Sequence, residues 1–398
     1  MKTFRGKMEG RTTEDVEALL EFAKLEKSEL KGHVQTLSFS QQLDNESLVL
    51  MEMDATVLSS LSQGDEVVIR GGEEDYAVLC TANRTYDIKE ADISNSLLLV
   101  PGCVTGKDLA GACDTADIRP LQVCSMLHSY YELRRCKPRL KKLKELLEEN
   151  YYSGKECEED EDHHGNKYTF SDLLNSVQAS QSEILEALRK LHACEIEGHW
   201  RLLEFDFLTK VLGHIISLSE ENDWLSEGAP AEDYCGELEP LFPRSVLLHV
   251  LDCYGNKEDK GGKTVYVLNE DKVCRFFAEL SLRHAEKFNF KEFLEVWKQS
   301  VPQGMKTSLY QLEGLALIDR CSRPEVIWFF PADNLPEDIG ERLNFLFKTR
   351  EKWTLDEITP YIRDLATEKV GVGALLMKYC RASMQNGIKV YNSKKPVT

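Results

Sequence analysis

The 398-residue sequence lacks the features that mark several protein classes. No apolar run approaches the roughly 18 residues that a membrane-spanning helix requires, and Met1–Gly10 has no apolar core for a signal peptide. We therefore expect a protein that is neither secreted nor membrane-bound. No Cys-x-x-Cys pair occurs among the 12 cysteines, so zinc-ribbon and redox-pair spacings are absent and reduced thiols in a cytosolic or nuclear protein are favoured.

Motifs of common enzyme classes are missing as well. The sequence has no Gly-x-Ser-x-Gly, His-Glu-x-x-His or Gly-x-Gly-x-x-Gly. Gly261–Thr264 resembles a phosphate loop, but position 257 is lysine where that motif needs glycine, so we predict a flexible hairpin loop. His163 and His164 lie in a stretch too polar to support a metal site. These absences favour a binding and assembly protein without metal or cofactor over an enzyme.

The composition is that of a folded protein with an acidic surface. Apolar residues make up 42% and charged residues 29%, and the length suits two to four domains. The 49 basic and 68 acidic residues leave a net charge of −19, which repels nucleic acid except where positive charge is concentrated.

The N-terminal third is predicted to be β-rich. An amphipathic helix over Asp15–Lys27 precedes short segments rich in strand-forming residues and separated by Asn, Asp and Gly, with Ala82–Arg84 as a hairpin connection. The predicted strands are Val34–Ser40, Ser47–Asp54, Asp65–Arg70, Asp75–Thr81, Thr85–Lys89 and Ser96–Val100. A loop over Gly102–Asp117 is predicted to end this domain.

A basic helix and an acidic linker are predicted to follow. Leucines mark one face of a helix over Tyr131–Asn150, with Pro138 in its first turn. Its remaining positions are crowded with seven cations, Arg134, Arg135, Lys137, Arg139, Lys141, Lys142 and Lys144. They could contact DNA, an acidic partner or a nuclear-import receptor, or form a solvated face beside the acidic stretch Glu156–His164.

An internal repeat organises the second half of the sequence. Lys167–Leu173, Lys287–Phe293 and Lys352–Ile358 share one helix-start pattern. Thr169, Asn289 and Thr354 are the predicted N-caps, and Asp172, Glu292 and Glu357 are the matching acidic residues at the third helical position, so that each pair can form a capping box. A hydrophobic staple joins Trp353 to Ile358 in the third copy.

Each start is followed by a second predicted helix and a β-pair, the order of a winged helix. The second helices are Ser182–Leu191, Ser308–Leu317 and Val372–Ala382, and the strand segments are Glu197–Leu203, Pro324–Phe330 and Gly387–Tyr391. Helices over Asp206–Leu218, Ser245–Tyr254 and Asn269–His284 connect the copies.

The predicted fold class is α+β, with a β-rich, barrel-forming N-terminal domain followed by tandem winged-helix domains. The predicted divisions are residues 1–117 (helix and β-rich partner-binding domain), 118–155 (basic helical connector), 156–166 (acidic linker), 167–240 (first winged helix), 241–335 (second, with its connector) and 336–398 (third, DNA-binding).

The C-terminal segment departs from the acidic character of the chain. Residues 371–398 contain no Asp or Glu but carry five cations, Lys378, Arg381, Lys389, Lys394 and Lys395. Lys378 and Arg381 share a face of the predicted helix, and the others lie on and after the β-pair, where a winged helix meets a phosphate backbone. The alternative is that these cations stabilise a helix C-terminus and a solvated tail.

Several stretches resemble the Dcc family of sister-chromatid-cohesion proteins. In the N-terminal domain these are Gly64–Gly71, Ala77–Cys80, Thr85–Ile88 and Ser94–Leu98. Further stretches are Phe293–Gly304, Gly314–Arg323 and Ser383–Ser393, so the resemblance extends from about Val67 to the end.

The resemblance implies a nuclear, non-catalytic subunit of an alternative replication factor C clamp loader. The β-rich region would join the C-terminal tail of the large loader subunit and a small third cohesion subunit in a shared β-barrel that docks on DNA polymerase epsilon. The winged helices would bind single- and double-stranded DNA, and the loader would act on the sliding clamp PCNA. ATP hydrolysis would belong to other subunits.

Apolar strand residues of the β-rich domain are the predicted partner contacts, because they exceed what so small a domain can cover. They are Val67, Val68, Ile69, Val78, Leu79, Leu97, Leu98 and Leu99. The rival hypothesis is a winged-helix protein-interaction scaffold that does not bind DNA.

Overall fold

A computed structural model describes residues 13–24, 34–73, 75–105, 118–158, 165–366, 370–385 and 387–394. These residues form a mixed α+β protein that divides into two compact units. The first unit comprises the described parts of residues 1–151, 164–193 and 197–202, and the second those of 152–163, 194–196 and 203–398. The predicted loop over Gly102–Asp117, the acidic linker and Lys395 lie partly or wholly outside the described residues.

A curled, half-barrel sheet dominates the first unit. Its strand order is β2-β7-β5-β4-β3, and β1 pairs with β6 in a separate parallel pair. The elements are α1 (Thr13–Phe22), β1 (Val34–Phe39), β2 (Met51–Glu52), α2 (Ala55–Gln63), β3 (Val68–Arg70), β4 (Val78–Cys80), β5 (Thr85–Leu99), β6 (Ile118–Val123) and β7 (Ser125–Arg135). Within the five-stranded sheet, every pairing is antiparallel except that of β2 with β7.

The sheet differs from the prediction in its longest strands. Thr85–Lys89 and Ser96–Val100 belong to one strand of 15 residues, β5, whose register shifts between Asp92 and Leu97. The helix predicted from Tyr131 is wrong at its start, because β7 continues to Arg135 and pairs with β5. Ladder hydrogen bonds to a long neighbouring strand outweigh the local helical period. Because β6 and β7 pair with strands before residue 106, a boundary at residue 117 would separate paired strands.

The first helical repeat packs within this same unit. Its helices are α3 (Lys141–Glu148), α5 (Phe170–Ser176) and α6 (Gln181–Lys190), followed by β9 (His199–Arg201). Leu143, Leu147, Leu173 and Leu188 form its buried core. Buried polar contacts tie the repeat to the sheet, because the Thr85 hydroxyl donates to Glu183 at 2.5 Å.

The second unit begins with helices that connect the repeats. They are α4 (Lys155–Glu158), α7 (Phe205–Glu221), α8 (Trp224–Glu227), α9 (Ala231–Leu238) and α10 (Arg244–Tyr254). The strand β8 (Cys194–Ile196) precedes α7, and the hairpin β10 (Gly255–Lys260) and β11 (Lys263–Leu268) follows α10. The hairpin confirms the loop predicted at Gly261–Thr264. Both its glycines have positive φ, which explains their presence in the turn. No helix in the described part of the chain is long and apolar enough to cross a bilayer.

The second and third repeats share one strand topology. The second contains α11 (Glu270–Arg283), β12 (Phe288–Asn289), α12 (Phe290–Ser300), a 3-10 turn (Leu309–Leu312), β13 (Ala316–Asp319) and β14 (Val326–Phe329). The third contains α13 (Ile339–Thr349), β15 (Trp353–Thr354), α14 (Leu355–Ile362), a 3-10 turn (Arg363–Leu365), α15 (Val372–Tyr379), β16 (Cys380–Gln385) and β17 (Ile388–Ser393). Another 3-10 turn spans Ala332–Asn334. In both three-stranded sheets the last strand lies in the centre, in the orders β12-β14-β13 and β15-β17-β16.

The helix predicted over Ser308–Leu317 is wrong in most of its length. The chain makes only the 3-10 turn Leu309–Leu312 before β13 begins. Gly314 has a φ of 67° and ends the turn. The apolar residues that suggested a helical face enter the sheet and the core of the second repeat.

All three predicted helix starts are confirmed. The Thr169 and Thr354 hydroxyls accept from the third helical N–H, and Asp172 and Glu357 accept in return, so both capping boxes form. Asn289 accepts from two backbone N–H groups, but its cap has no reciprocal bond from Glu292, and a capping box there is wrong. Trp353 and Ile358 are both fully buried in one core, as the staple predicts.

Candidate nucleic-acid and partner interfaces

Three basic residues of the C-terminal segment lie on three different elements of the third repeat. Lys378 ends α15, Arg381 lies on β16 and Lys389 on β17, and all three are exposed. The predicted shared helical face of Lys378 and Arg381 is wrong, because α15 stops at Tyr379 and Cys380 begins a strand.

The sequence carries a signal for this strand that the helical period hides. Asn386-Gly387 is the dipeptide most typical of a two-residue hairpin turn, and Gln385 pairs with Ile388 across it. Gly387 has a φ of 79°, which glycine adopts without steric cost. The hairpin therefore starts six residues before the turn, where the helix was predicted to continue.

Lys394 stabilises the end of α15. Its ammonium donates to the carbonyl oxygens of Met377 and Lys378, each at 2.7 Å. These carbonyls are among the last four of the helix, which lack partners inside it. Lys394 therefore makes the contact that the alternative interpretation of this segment predicts, that of a cation at a helix C-terminus.

Burial raises the pKa of the neighbouring Cys380 thiol to about 11, although the positive charge of Lys394 lowers it, so the thiol is neutral at pH 7.

Among the described residues of the C-terminal segment, Lys378, Arg381 and Lys389 are exposed cations other than Lys394. The Lys378 ammonium lies 5.0 Å from the ring centre of Tyr379, and that of Lys389 lies 5.3 Å from Tyr391. Such contacts orient an ammonium group without neutralising its charge. With no acidic residue in 371–398, this surface can bind phosphate groups.

The seven cations from Arg134 to Lys144 do not share one helix face. Arg134 and Arg135 end β7, Lys137 and Arg139 lie in the following connection, and only Lys141, Lys142 and Lys144 are on α3. The residues are thus divided between a strand end, a turn and a helix.

Most of these cations have partners within the chain. Arg134 donates to Glu132 at 2.6 Å, and this bond lowers the pKa of the Glu132 carboxyl. Arg139 bonds to Asp87 at 3.1 Å and to the Gln178 amide oxygen at 2.7 Å, which makes it a structural link. Lys141 and Lys144 form ion pairs with the glutamates four residues later. These contacts are typical of a solvated face and a packed junction.

The predicted partner contacts divide by exposure. Val78 and Leu79 are buried in the sheet. Ile69, Leu97 and Leu98 are exposed by 60%, 37% and 42%, while Val67, Val68 and Leu99 are half-buried. Leu37 and Phe39 of β1 lie outside the predicted set and are also about half exposed. Leu37 and Phe39 alternate with the polar residues Thr36 and Ser38, which places both apolar side chains on one face of the strand.

One edge of the half barrel is open. On the side away from β7, the described residues pair with β5 only at Thr85–Asp87, through β4. The rest of this strand, through Leu99, has no second neighbouring strand there among the described elements. The buried cluster of this sheet is small, since among the described residues it comprises Val57, Leu79 and Tyr86. An open edge beside exposed leucines suits an added strand.

A groove of about 490 Å³ lies between the second and third repeats. Its lining includes Arg320, Trp328, Lys352 and Gln385. Arg350 and Glu357, also in the lining, pair at 2.7 Å. Burial would raise the pKa of Glu357, but the Thr354 N–H and the Arg350 charge lower it overall. Among the described residues no His, Cys, Asp or Glu cluster could hold a metal ion.

Comparison with known proteins identifies a family over most of the chain. The family model for "Sister chromatid cohesion protein Dcc1" matches residues 48–362. The chain is 47% identical over 391 residues to Sister chromatid cohesion protein DCC1 of Mus musculus, covering 98% of each protein. It is 46% identical to the Homo sapiens protein of the same name, covering 98% of this chain and all of that protein. Against the Saccharomyces cerevisiae protein the identity is 23%, over 54% of this chain and 58% of that protein.

Proposed function

This chain belongs to the Dcc1 family of sister chromatid cohesion proteins, and from that premise we propose that it is a non-catalytic adaptor subunit of an alternative replication factor C clamp loader. Its N-terminal half barrel binds partner subunits, and its last repeat contacts DNA. In the nucleus it links the loader to DNA and to DNA polymerase epsilon, which supports loading and unloading of PCNA and cohesion between sister chromatids.

The observation that carries this proposal is the open half barrel. Exposed Leu97 and Leu98 lie on β5, which beyond Asp87 has no neighbouring strand among the described residues on the side away from β7. Isolated open edges are aggregation hazards that proteins cover. Strands from the C-terminal tail of the large loader subunit and from the small third cohesion subunit would complete the barrel, and the completed module would dock on the polymerase.

The proposed DNA contact belongs to the third repeat. Its order of helices and strands, with the last strand central, is the order we assign to a winged helix, and the second repeat has the same strand order. Lys378, Arg381 and Lys389 are exposed on its last helix and wing. Phosphate contacts of this kind fix a protein on DNA without reading its sequence, so both duplex and single strands are expected ligands.

Salt titration of the full chain on labelled duplex and single-stranded DNA tests this contact. Each phosphate contact should contribute a slope of about −0.9 to log affinity against log salt on duplex. The variant R381E/K389E should weaken binding to both DNA forms and flatten the slope. The matched control is Lys298→Glu, an exposed lysine on α12 of the second repeat, which should behave like wild type.

Reconstitution tests the partner contact separately. Mixing the full chain with the loader subunit tail and the third subunit should give one stable complex by size-exclusion chromatography. R381E/K389E should assemble normally, because the substituted residues lie outside the unit that carries the half barrel. Failure of wild type to assemble would contradict the adaptor proposal even if DNA binding were intact.

A scaffold that binds only proteins is the second candidate. Lys394, one of the predicted DNA contacts, is engaged with helix carbonyls, and the whole chain carries a charge of −19. Both facts reduce attraction to DNA. Assembly without salt-dependent DNA binding would select this candidate over the first.

A further inference from the structure

The free end of the β16–β17 hairpin exposes two large apolar side chains. Met384 is 69% exposed and Ile388 is 57% exposed. Nearer the core, Val390 and Tyr391 of the same hairpin are buried. The two exposed residues therefore contribute little to the core of the third repeat, although exposing them to water is unfavourable.

Strand register places these side chains on opposite faces of the hairpin. Residues directly opposite one another in an antiparallel pair share a face. Gln385 pairs with Ile388, and Met384 pairs with Lys389 in the next position. One face therefore ends in Ile388 and the other in Met384. The narrow end of the hairpin therefore carries one exposed apolar side chain on each face, opposite Gln385 on one face and Lys389 on the other.

The charge around this end indicates what could cover it. Arg381 and Lys389 are exposed on the same two strands, and no acidic residue occurs from Gly371 to Thr398. A matching ligand has dense negative charge outside and an apolar interior within reach of a narrow projection. Duplex DNA has this arrangement, with phosphates outside and stacked bases inside. An anionic membrane has it too, but membrane-surface binding usually depends on a broad apolar helix face rather than two side chains.

The geometry points to a DNA wedge at the end of the β16–β17 hairpin: Met384 and Ile388 enter a base step from the minor groove while Arg381 and Lys389 hold the flanking phosphates. Minor-groove proteins insert Met and Ile in this way and kink the duplex. The inference rests on the proposed DNA contact of the third repeat and adds a preferred substrate. Opening a base step costs stacking energy, and the cost is smaller where pairing is already broken. Mismatched or bulged duplex is therefore the favoured ligand.

The test compares the full chain on two duplexes that differ by one mismatch. Fluorescence anisotropy gives the affinity for each, and 2-aminopurine beside the mismatch reports unstacking. Wild type should bind the mismatched duplex more tightly and raise the 2-aminopurine signal. The variant M384Q/I388T should lose about tenfold in affinity for the mismatched duplex, in line with two apolar side chains left in water. Its salt slope should remain that of wild type, because its cations are intact.

Two further variants separate the wedge from the DNA contact on which it rests. Val296→Gln replaces a side chain that is 42% exposed on α12 of the second repeat and should leave both readouts unchanged. R381E/K389E should weaken binding to both duplexes alike.

The possible outcomes are distinct. Salt-dependent binding of wild type with no mismatch preference and no unstacking overturns the wedge and leaves the proposed function standing. Loss of partner assembly in M384Q/I388T, with unchanged DNA readouts, also overturns it and assigns the apolar end to a protein. No DNA binding by wild type removes both proposals.

Discussion

The half barrel of the first unit and the three-stranded sheet of the third repeat use apolar strands differently. In the third repeat, Trp353 and Tyr391 lie opposite each other on β15 and β17 and are both buried. In the half barrel, Ile69 and Leu98 are largely exposed on β3 and β5. The third repeat packs residues of its helices and strands into one large buried core, while the buried cluster of the half barrel has three members among the described residues.

The difference shows that an apolar strand does not reveal what covers it. Strand propensity reflects packing against whatever lies on the sheet, whether that is the same chain or another. Substitutions of buried strand residues in the third repeat should therefore lower the stability of that repeat. Substitutions of exposed strand residues in the half barrel should instead weaken assembly with partners.

The largest expected effect is that of Trp353→Ala in the third repeat. The Trp353 ring is fully buried, packs edge-on against Tyr361 and donates to the Arg350 carbonyl at 2.8 Å. Its removal should destabilise the repeat by about 3–5 kcal/mol. Native-state hydrogen exchange of the β16 and β17 amides in the full chain measures this locally. Trp353→Phe should lose much less, and a loss below about 1 kcal/mol for alanine would contradict a self-contained core.

The second prediction concerns Ile69→Ser combined with Leu98→Ser in the half barrel. Both side chains are more than 40% exposed, so the free chain should lose less than about 1 kcal/mol. Affinity for the partner subunits should fall about 100-fold if these residues lie at the centre of an interface. Calorimetric titration measures the affinity. The control Leu241→Ser changes a residue that is 60% exposed in the second unit and should assemble normally. Equal affinities for both variants would remove the contrast between the regions.

Local signals explain which parts of the fold the sequence could predict. A helix start depends on a cap and an acidic residue within four positions, and Thr169, Asn289 and Thr354 all begin helices as predicted. Connector helices and the hairpin at Gly261-Gly262 follow from equally short patterns. The mixed α+β class and the strand-rich N-terminal region need no information beyond composition and alternation.

Errors arose where strand pairing outweighs a helical period in the sequence. The segment from Tyr131 to Arg135 has a helical period but pairs with residues of β5 that lie 41 to 49 positions earlier in the chain. Arg381 lies on a strand because β16 pairs with β17. In the candidate site, charge alone does not indicate the hydrogen bonds of Lys394 to helix carbonyls, because only the folded helix presents those carbonyls. The DNA contact of Lys394 stays a prediction.

A smaller effect is expected for Thr354→Ala, which removes one capping box. The Thr354 hydroxyl accepts from Glu357 N–H, so the third repeat should lose about 1 kcal/mol. Thr359→Ala in the same helix is the matched control, because its hydroxyl donates to the Leu355 carbonyl one turn earlier and caps no helix end. Hydrogen exchange of the α14 amides compares the two. Equal protection in both variants would mean that the cap does not determine the stability of this helix.

The smallest effect concerns the stability that the third repeat loses at low pH. We expect the Glu357 carboxylate to cause part of this loss when it becomes protonated. Burial raises the pKa of Glu357, but the Thr354 N–H and Arg350 outweigh burial and hold it below the ordinary value of 4.5. Because the folded-state pKa is the lower one, the carboxylate stabilises the fold above the unfolded-state value, and this stability is lost as pH falls through the folded-state pKa. Glutamine cannot ionise, so Glu357→Gln should be less stable at pH 7 and should lose less stability than wild type as pH falls below 4.5.

The Glu357 side chain is 45% exposed, and solvent screening limits the difference in stability to less than about 1 kcal/mol. Melting of both proteins across this pH range measures it, with Glu351→Gln, an exposed neighbour, as the control. Parallel curves for wild type and Glu357→Gln would show that the pair with Arg350 adds nothing to the stability of the third repeat.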